Sequence, residues 1–476
     1  METADTFQHP LTGRYASREM SGIFSPHARF RTWRRLWTAL AQAQSDLGLD
    51  IPAEALSQMR ATQDDIDLAR AAELERETRH DVMAHVRLYG EAAPAAAGWI
   101  HAGATSCFVT DNADLILYRD ALRLVRARVL ACVDALARFA RAHRATPTLG
   151  FTHFQPAQAT TVGKRATLWL QDLLLDLEEI DFRLGALRFR GIRGATGTQA
   201  SFLELFDRDA SKVDRLDDAV AAAFDFERGF GVTGQTYPRK VDYALVATLA
   251  GVAASASKFS HDVRLLQHLR EVEEPFGAAQ VGSSAMPYKR NPMRSERIGA
   301  LARHAIALSL DPAMTAATQW LERTLDDSAN RRIAIPEAFL SVDAILLLVH
   351  EVAAGLRVNE AVIEARLRRE LPFVATEAIL MRAVRAGGDR QQLHETIQRH
   401  AVASAEHAAA TGEPPDLPDR LAADPALALT AEEIRQTLRP ELHVGRAPEQ
   451  VDAFLAAEAD PVLAAAELAP MPEPTV

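Results

Sequence analysis

From Asp111 to His143 the chain contains no Gly or Pro, and Leu115, Leu122, Val125, Val129, Val133 and Leu136 recur at helical intervals. That spacing keeps one apolar stripe on one face of a helix. A helix of this length lies at the long end of the globular range and needs partners of similar length to cover its stripe. The same patterning returns over residues 158–190, 238–269, 293–310 and 330–356. Long apolar stripes running nearly parallel predict a helix bundle. A further stripe, Phe30, Trp33, Trp37, Leu40 and Leu47 with the polar Gln44 set among them, follows Ser25 and Pro26 and ends at Gly48. Ser suits an N-cap, Pro the first helical position and Gly the stop. Alternating strand patterns are scarce, and β-branched residues sit singly inside helical windows, so the expected fold class is all-α.

A chain of 476 residues exceeds one compact core. Composition shifts place boundaries near 105 and 358. These give an N-terminal helical domain over 1–105, a central long-helix bundle over 106–358, and a C-terminal helical domain over 359–476 with a frayed tail. The net charge of −11 and pI near 5.8 disfavour nucleic acid or an anionic membrane as a partner, since both select broad positive surfaces. The stretch 243–257 is rich in Ala, Gly, Ser and Thr and falls short of the ~20 apolar residues of a membrane span. Only Cys107 and Cys132 occur, which leaves no disulfide framework or multi-cysteine metal site and fits a reducing cytoplasm. The opening METADTFQHPLTGRY lacks the charged and apolar regions of a signal peptide, so a soluble cytoplasmic protein is expected.

Polar chemistry is concentrated in the connections ATPTLGFTHFQPAQ, RGIRGATGTQ, GVTGQTYP and EPFGAAQVGSSAMPYKRNP. His153 lies in the second half of the first of these, read as a loop, and histidine is the usual general acid or base near neutral pH. Standing alone it reads as a satisfied loop residue, as His80 in ETRHDVMAH reads as an ordinary helix-start residue. Lys289, Arg290, Arg294, Arg297, Arg323, Arg331 and Arg332 form a local positive density in an acidic chain. Paired arginines suit bidentate capture of carboxylate or phosphate, and the turn Gly282-Ser283-Ser284 adds backbone amides that also bind anions. The bland alternative is a solvated face of two helices. No HExxH, CxxC, GxGxxG or P-loop pattern appears, so neither a metal nor a cofactor is expected.

GSSAMPYKRNP (282–292) resembles the signature loop of the fumarase/aspartase superfamily of lyases, and its continuation PYKRNPMRSER is similar to the adenylosuccinate lyase family, in the form typical of animals. GRYAS (13–17), RHDVMAH (79–85), GATSCFVTDNAD (103–114), GFTHFQPAQ (150–158), GQTYPRK (234–240) and ERTLDDSANRR (322–332) agree in order along the chain. The resemblance is dense over the first 340 residues or so and loose beyond. It implies a three-domain chain whose central bundle assembles into a tetramer core, with each active site shared between subunits.

The resemblance also implies a reaction. Fumarate leaves adenylosuccinate to give AMP, and leaves SAICAR, the succinylated imidazole carboxamide of purine synthesis, to give AICAR, by β-elimination without a cofactor. Chemistry alone makes His153 the base. The resemblance instead gives the C–H proton to Ser283, with Lys289 steadying its alkoxide, and makes His153 the acid for the departing nitrogen. Arg14, Tyr15, Arg323, Ser328 and Arg332 are implied as the nucleotide and phosphate grip. Thr105, Ser106, Gln235, Lys289 and Asn291 are implied as the succinyl grip. Arg79, His80 and Asp81 are implied as positioning residues, His80 close to the chemistry, with Arg297 in support. Gly13, Phe108 and Thr110 depart from the commoner Ser, Tyr and Gly without replacing any of these. A sister lyase making fumarate from argininosuccinate, aspartate or malate is the nearest alternative, and a catalytically silent structural homologue a further one.

Overall fold

The computed structural model describes residues 6–277 and 280–474. About 68% of the chain is helical. The three longest helices of the first hundred residues are α1 (Pro26–Asp46), α2 (Leu68–Thr78) and α3 (Asp81–Ala92). The Ser25 hydroxyl accepts the Ala28 amide at 3.1 Å, Pro26 opens α1, and Gly48 beyond its end takes φ +104°, a left-handed conformation that favours glycine. Gln44, the polar member of the stripe, is fully buried and its amide donates to the Ala102 carbonyl at 3.1 Å. That bond satisfies the amide nitrogen, while the buried side-chain oxygen has no donor among the described residues.

Five long helices follow: α4 (Ser106–Ala142), α5 (Val162–Ala186), α6 (Lys240–His268), α7 (Met293–Leu308) and α8 (Asp327–Gly355). Their apolar stripes meet in one core containing Leu122, Val129, Leu170, Leu249, Ile298 and Ile345. A second core joins α1 to the start of α4 and to the segments around Phe189, Phe202 and Tyr237. A third, around Ile379, Leu393, Leu417 and Ile434, belongs to the C-terminal helices. By length and composition α8 is apolar enough to cross a membrane, but 78% of its apolar window is buried in the bundle. It is a core helix, and its hydropathy reflects burial on most sides.

The sheets of the described residues are two antiparallel ribbons, β1 (Pro147–Thr152) with β2 (Gln155–Thr161), and β3 (Val272–Glu273) with β4 (Arg357–Val358). The first corrects two expectations. Residues 158–161 belong to β2, not to a helix, because Thr160 and Thr161 pair with Thr148 and Pro147, and the Thr161 hydroxyl then caps α5 by accepting the Lys164 amide at 3.1 Å. The segment around His153 is a hairpin, not an open loop.

The direction of the long helices positions everything that follows. α4 starts beside the cleft described below and runs away from it for 37 residues, roughly 55 Å at 1.5 Å per residue. The hairpin sits at its far end. α5 returns, α6 and α8 run out again, and α6 delivers the chain to β3 and the Gly282 loop, also at the far end.

Candidate active site

At the near end of the bundle a cleft of about 430 Å³ lies between α2, α3, the starts of α4 and α8, and the loops before α6 and α8. Arg79, His80, Asp81, Ser106, Gln235, Arg323, Ser328 and Arg332 line it. Thr105 immediately precedes Ser106 as the N-cap of α4.

Each of these is placed by a local device. Arg79 ends α2 in the left-handed region (φ +52°), which turns the chain sharply into α3. His80 caps α3, its Nδ1 accepting the Met83 amide at 3.3 Å. That bond assigns the neutral ring's hydrogen to Nε2, which stands 3.4 Å from the Ser106 hydroxyl. Asp81 accepts the Val82 amide at 2.8 Å and an Arg332 N–H at 2.8 Å. Burial opposes its charge most strongly of any single cause, but the bond and charge of Arg332, the Val82 amide and His80 together outweigh it and hold the carboxyl below its ordinary range. Thr105 makes no side-chain cap, the Phe108 amide turns back to the Thr105 carbonyl at 2.8 Å, and Ser106 and Cys107 at the start of α4 line the cleft. The open N-terminus of a long helix attracts an anion.

Gln235 is fixed through its backbone: its amide donates to the Glu322 carbonyl at 3.0 Å, and its carbonyl accepts the Nε–H of fully buried Arg190 at 2.8 Å. A Cβ on the neighbouring Gly234 would stand 2.5 Å from the Glu322 oxygen, so only glycine lets these two loops lie back to back. The Arg323 guanidinium rests on the Cys107 sulfur and meets no carboxylate among the described residues. It is therefore a cation available to a ligand. Burial, reinforced by Asp111, pushes the Cys107 thiol up to about 11, so it packs without reacting.

The remaining sequence candidates lie elsewhere in this chain. His153 and Phe154 form the exposed two-residue tip of the hairpin, with φ +53° and +57°. Two consecutive non-glycine residues in this region carry backbone strain of order 1–3 kcal/mol each, which concentrates at functional sites. In the signature loop the Ser283 Oγ accepts the amides of Ala285 at 3.3 Å and Met286 at 3.1 Å. Two such donors stabilise negative charge on that oxygen. The Asn291 side chain donates to the Gly282 carbonyl at 2.7 Å and so clasps the loop shut, while Lys289 is exposed beside it. Arg297 is half-buried on α7. Arg14 is exposed, 5.9 Å from the ring of Tyr15, whose other side packs on the bundle core.

Two arginines of the expected positive density are held by carboxylates of the same chain instead. Arg331 is buried against Asp242 at 2.6 Å and Asp114 at 3.1 Å, and Arg294 pairs with Glu351 at 2.8 Å and donates to the Pro275 carbonyl. Their partners are too distant in sequence for a charge run to reveal. The cleft also holds residues that the sequence reading passed over: Trp33, Cys107, Asp111, Asp114, Tyr118, Arg239 and Asp327. Cys107, Asp111, Asp114 and Tyr118 share helical core spacing, and carboxylates on that stripe were the available signal.

An all-α chain with a five-helix bundle, a cation-lined cleft at one end and a Gly-Ser-Ser loop at the other has the features of a fumarase/aspartase-type lyase. The family described as Lyase matches residues 13–306, and the C-terminal region described as "Adenylosuccinate lyase C-terminus" matches residues 372–454. The 3-carboxy-cis,cis-muconate lactonizing enzyme of Pseudomonas putida shares the fold, with a TM-score of 0.82 at 24% identity over 96% of this chain and 100% of that one. The adenylosuccinate lyase of Saccharomyces cerevisiae is 49% identical over 96% of this chain and 95% of its own length. That of Schistosoma mansoni is 46% identical over 97% of each. The chain belongs to the adenylosuccinate lyase family.

Proposed function

We propose that this chain eliminates fumarate from adenylosuccinate to release AMP, and from SAICAR to release AICAR, without a metal or cofactor. The observation that carries the reading is the convergence of four distant segments, Arg79–Asp81, Ser106, Gln235 and Arg323–Arg332, on one cleft. The substrate carries a phosphate and two carboxylates. Arg323, Ser328 and Arg332, joined by Arg14 and Tyr15, take the phosphate end. Thr105, Ser106 and Gln235, with the open start of α4, take a succinyl carboxylate.

In the elimination, the Ser283 alkoxide removes the proton from the carbon next to a carboxylate, and the electron pair spreads onto that carboxylate. Lys289 and the Ala285 and Met286 amides lower the energy of the charged oxygen. The pair then forms the C=C bond of fumarate as the C–N bond breaks, and the departing nitrogen takes a proton from the His153 imidazolium. His80 Nε2–H and Ser106 orient the succinyl group, Asp81 fixes Arg332, Asn291 keeps the loop closed, and Arg79 and Arg297 add positive potential.

His153 and Ser283 lie at the far end of the bundle from the cleft, so the reading requires a homotetramer in which neighbouring copies bring them over it. Supporting this, Leu168, Leu175 and Phe182 form an exposed heptad stripe along α5, and Trp320, Leu321 and Leu325 are exposed at the cleft mouth. The domain boundaries near 105 and 358 and a cytoplasmic setting, in keeping with two free cysteines, belong to the same proposal.

The experiment is turnover of adenylosuccinate followed by ultraviolet absorbance, with argininosuccinate as the competing substrate. His153→Ala and Ser283→Ala alone are inactive, and an equimolar mixture refolded together regains about a quarter of the sites, the fraction that random assortment of two separate chains gives. Activity in either variant alone, or none in the mixture, refutes the shared site.

A further inference from the structure

We propose that Arg239 is a positioning residue that sets the spacing between the succinyl half and the phosphate half of the cleft. The inference rests on the preceding assignment of that cleft. Arg239 caps α6 four residues after Gln235 and is 4% exposed. Its two terminal nitrogens donate to the Asp111 carboxylate at 3.1 and 3.2 Å, and its Nε–H donates to Asp327 at 2.6 Å. Asp111 lies on α4 just beyond Thr105 and Ser106, and it also accepts the Tyr237 amide at 2.9 Å. Asp327 opens α8 immediately before Ser328 and leads to Arg332. One planar group thus locks the segments bearing both halves of the grip.

Stability does not account for this arrangement. Buried ion clusters are commonly no more stabilising than apolar side chains of the same volume. Here two buried carboxylates share one guanidinium, and the second Asp327 oxygen has no donor among the described residues. What the cluster supplies is geometry: a fork that fixes Asp111 in two places and reaches Asp327 with a third bond. Lysine, a point charge on a flexible stem, cannot reproduce that fork. Burial opposes the charge of Asp111, and Arg239 leads the cations that nevertheless keep it ionised.

The substrate spans both halves, whereas AMP uses only the phosphate half and fumarate only the succinyl half. An error in the spacing therefore harms the joined substrate and spares the separate products. A displacement near 1 Å costs about 100-fold in rate, so in Arg239→Lys kcat/KM for adenylosuccinate falls about 10- to 100-fold. Dissociation constants of AMP and of fumarate, measured separately by calorimetry on the same full-length protein, stay within about twofold.

Arg128→Lys is the control. Arg128 is equally buried and lies 3.6 Å from Asp343 across α4 and α8, away from the cleft. It lowers the melting temperature without splitting substrate from products. If Arg239→Lys does not fold, Asp327→Ala removes the same tie from the other side and shows the same split. Retention of kcat/KM within threefold in the folded variant, or equal weakening of substrate, AMP and fumarate, overturns the proposal. Failure of the unaltered protein to turn over adenylosuccinate or to bind AMP overturns the functional reading instead.

Discussion

Acid acts first on the helix that carries His80 and Asp81. His85, one turn further along α3, is 3% exposed, with its ring 3.7 Å from Phe30 in a stacked arrangement and 5.4 Å from Trp33 edge-on. Burial, aided by Arg34, pulls its pKa down to about 4. His101 is also lowered to about 4, by burial and then by His80, and its Nδ1 accepts the Trp37 indole N–H at 2.9 Å. Only an unprotonated nitrogen accepts that bond.

The sign follows from proton uptake. Both folded values lie below the free value near 6.5, so on acidification the unfolded chain binds protons first. The stabilisation is fully present above pH 6.5 and is lost as pH falls towards 4. At pH 5 the unfolded imidazole is almost wholly charged while about a tenth of the folded one is, a loss of about 2 kcal/mol per histidine relative to pH 7.5. Against a domain stability of about 5–15 kcal/mol, that is a large fraction.

Trp33 and Trp37 touch the two imidazoles and report the transition directly. Urea unfolding followed by tryptophan fluorescence shifts to lower urea between pH 7.5 and pH 5, and His85→Phe, which keeps an aromatic ring in the stack, removes about 2 kcal/mol of that shift. Because Trp33 also lines the cleft, His85→Phe retains a larger share of its neutral-pH activity at pH 5. Superimposable curves at the two pH values, or a variant with the full acid sensitivity, refute the reasoning.

Three further outcomes are expected. In Gly282→Ala the new Cβ would stand 2.0 Å from the Lys289 carbonyl oxygen, so the loop opens and turnover falls at least about 100-fold with an unchanged melting curve; circular dichroism and initial rates check both. Arg323→Gln removes a cation with no carboxylate partner among the described residues, and the loss of one charge-assisted bond of about 1.5–3 kcal/mol raises KM about 10- to 150-fold with kcat largely kept. Leu175→Glu with Phe182→Glu places charges on the exposed α5 stripe, so light scattering shows dissociated chains and activity depends steeply on protein concentration.

The long helices were legible because their apolar stripes continue without glycine or proline, and because Ser25 and Pro26 mark a start by capping chemistry that acts within one turn. The hairpin was hidden for a corresponding reason. Its tip uses His153 and Phe154 at positive φ where a turn of this kind normally shows Asn-Gly or Asp-Gly, and QATT before α5 reads equally as a helix start. Charged residues were the least legible. Arg323 and Arg332 stand open on the cleft, while their neighbour Arg331 borders the same cleft but is buried and tied up by Asp242, 89 positions away. Local sequence gives a charge its sign but does not locate its partner.

The bundle's length turns these pieces into an argument about assembly. In one chain, the cleft opens at the start of α4 and the hairpin follows its end, with an unbroken, closely packed helix of 37 residues between them. α6 separates Arg239 from the signature loop in the same sense over 29 residues, roughly 43 Å at 1.5 Å per residue. No hinge among loops of this size spans such distances while the shared core stays intact. In the proposed assembly, a copy lying antiparallel along the exposed α5 stripe would set its far end against the first copy's cleft with neither core disturbed. In that assembly the strain at His153 and Phe154 would have a physical role: it would hold the imidazole at the tip of a two-stranded arm, directed to a site that its own chain cannot reach.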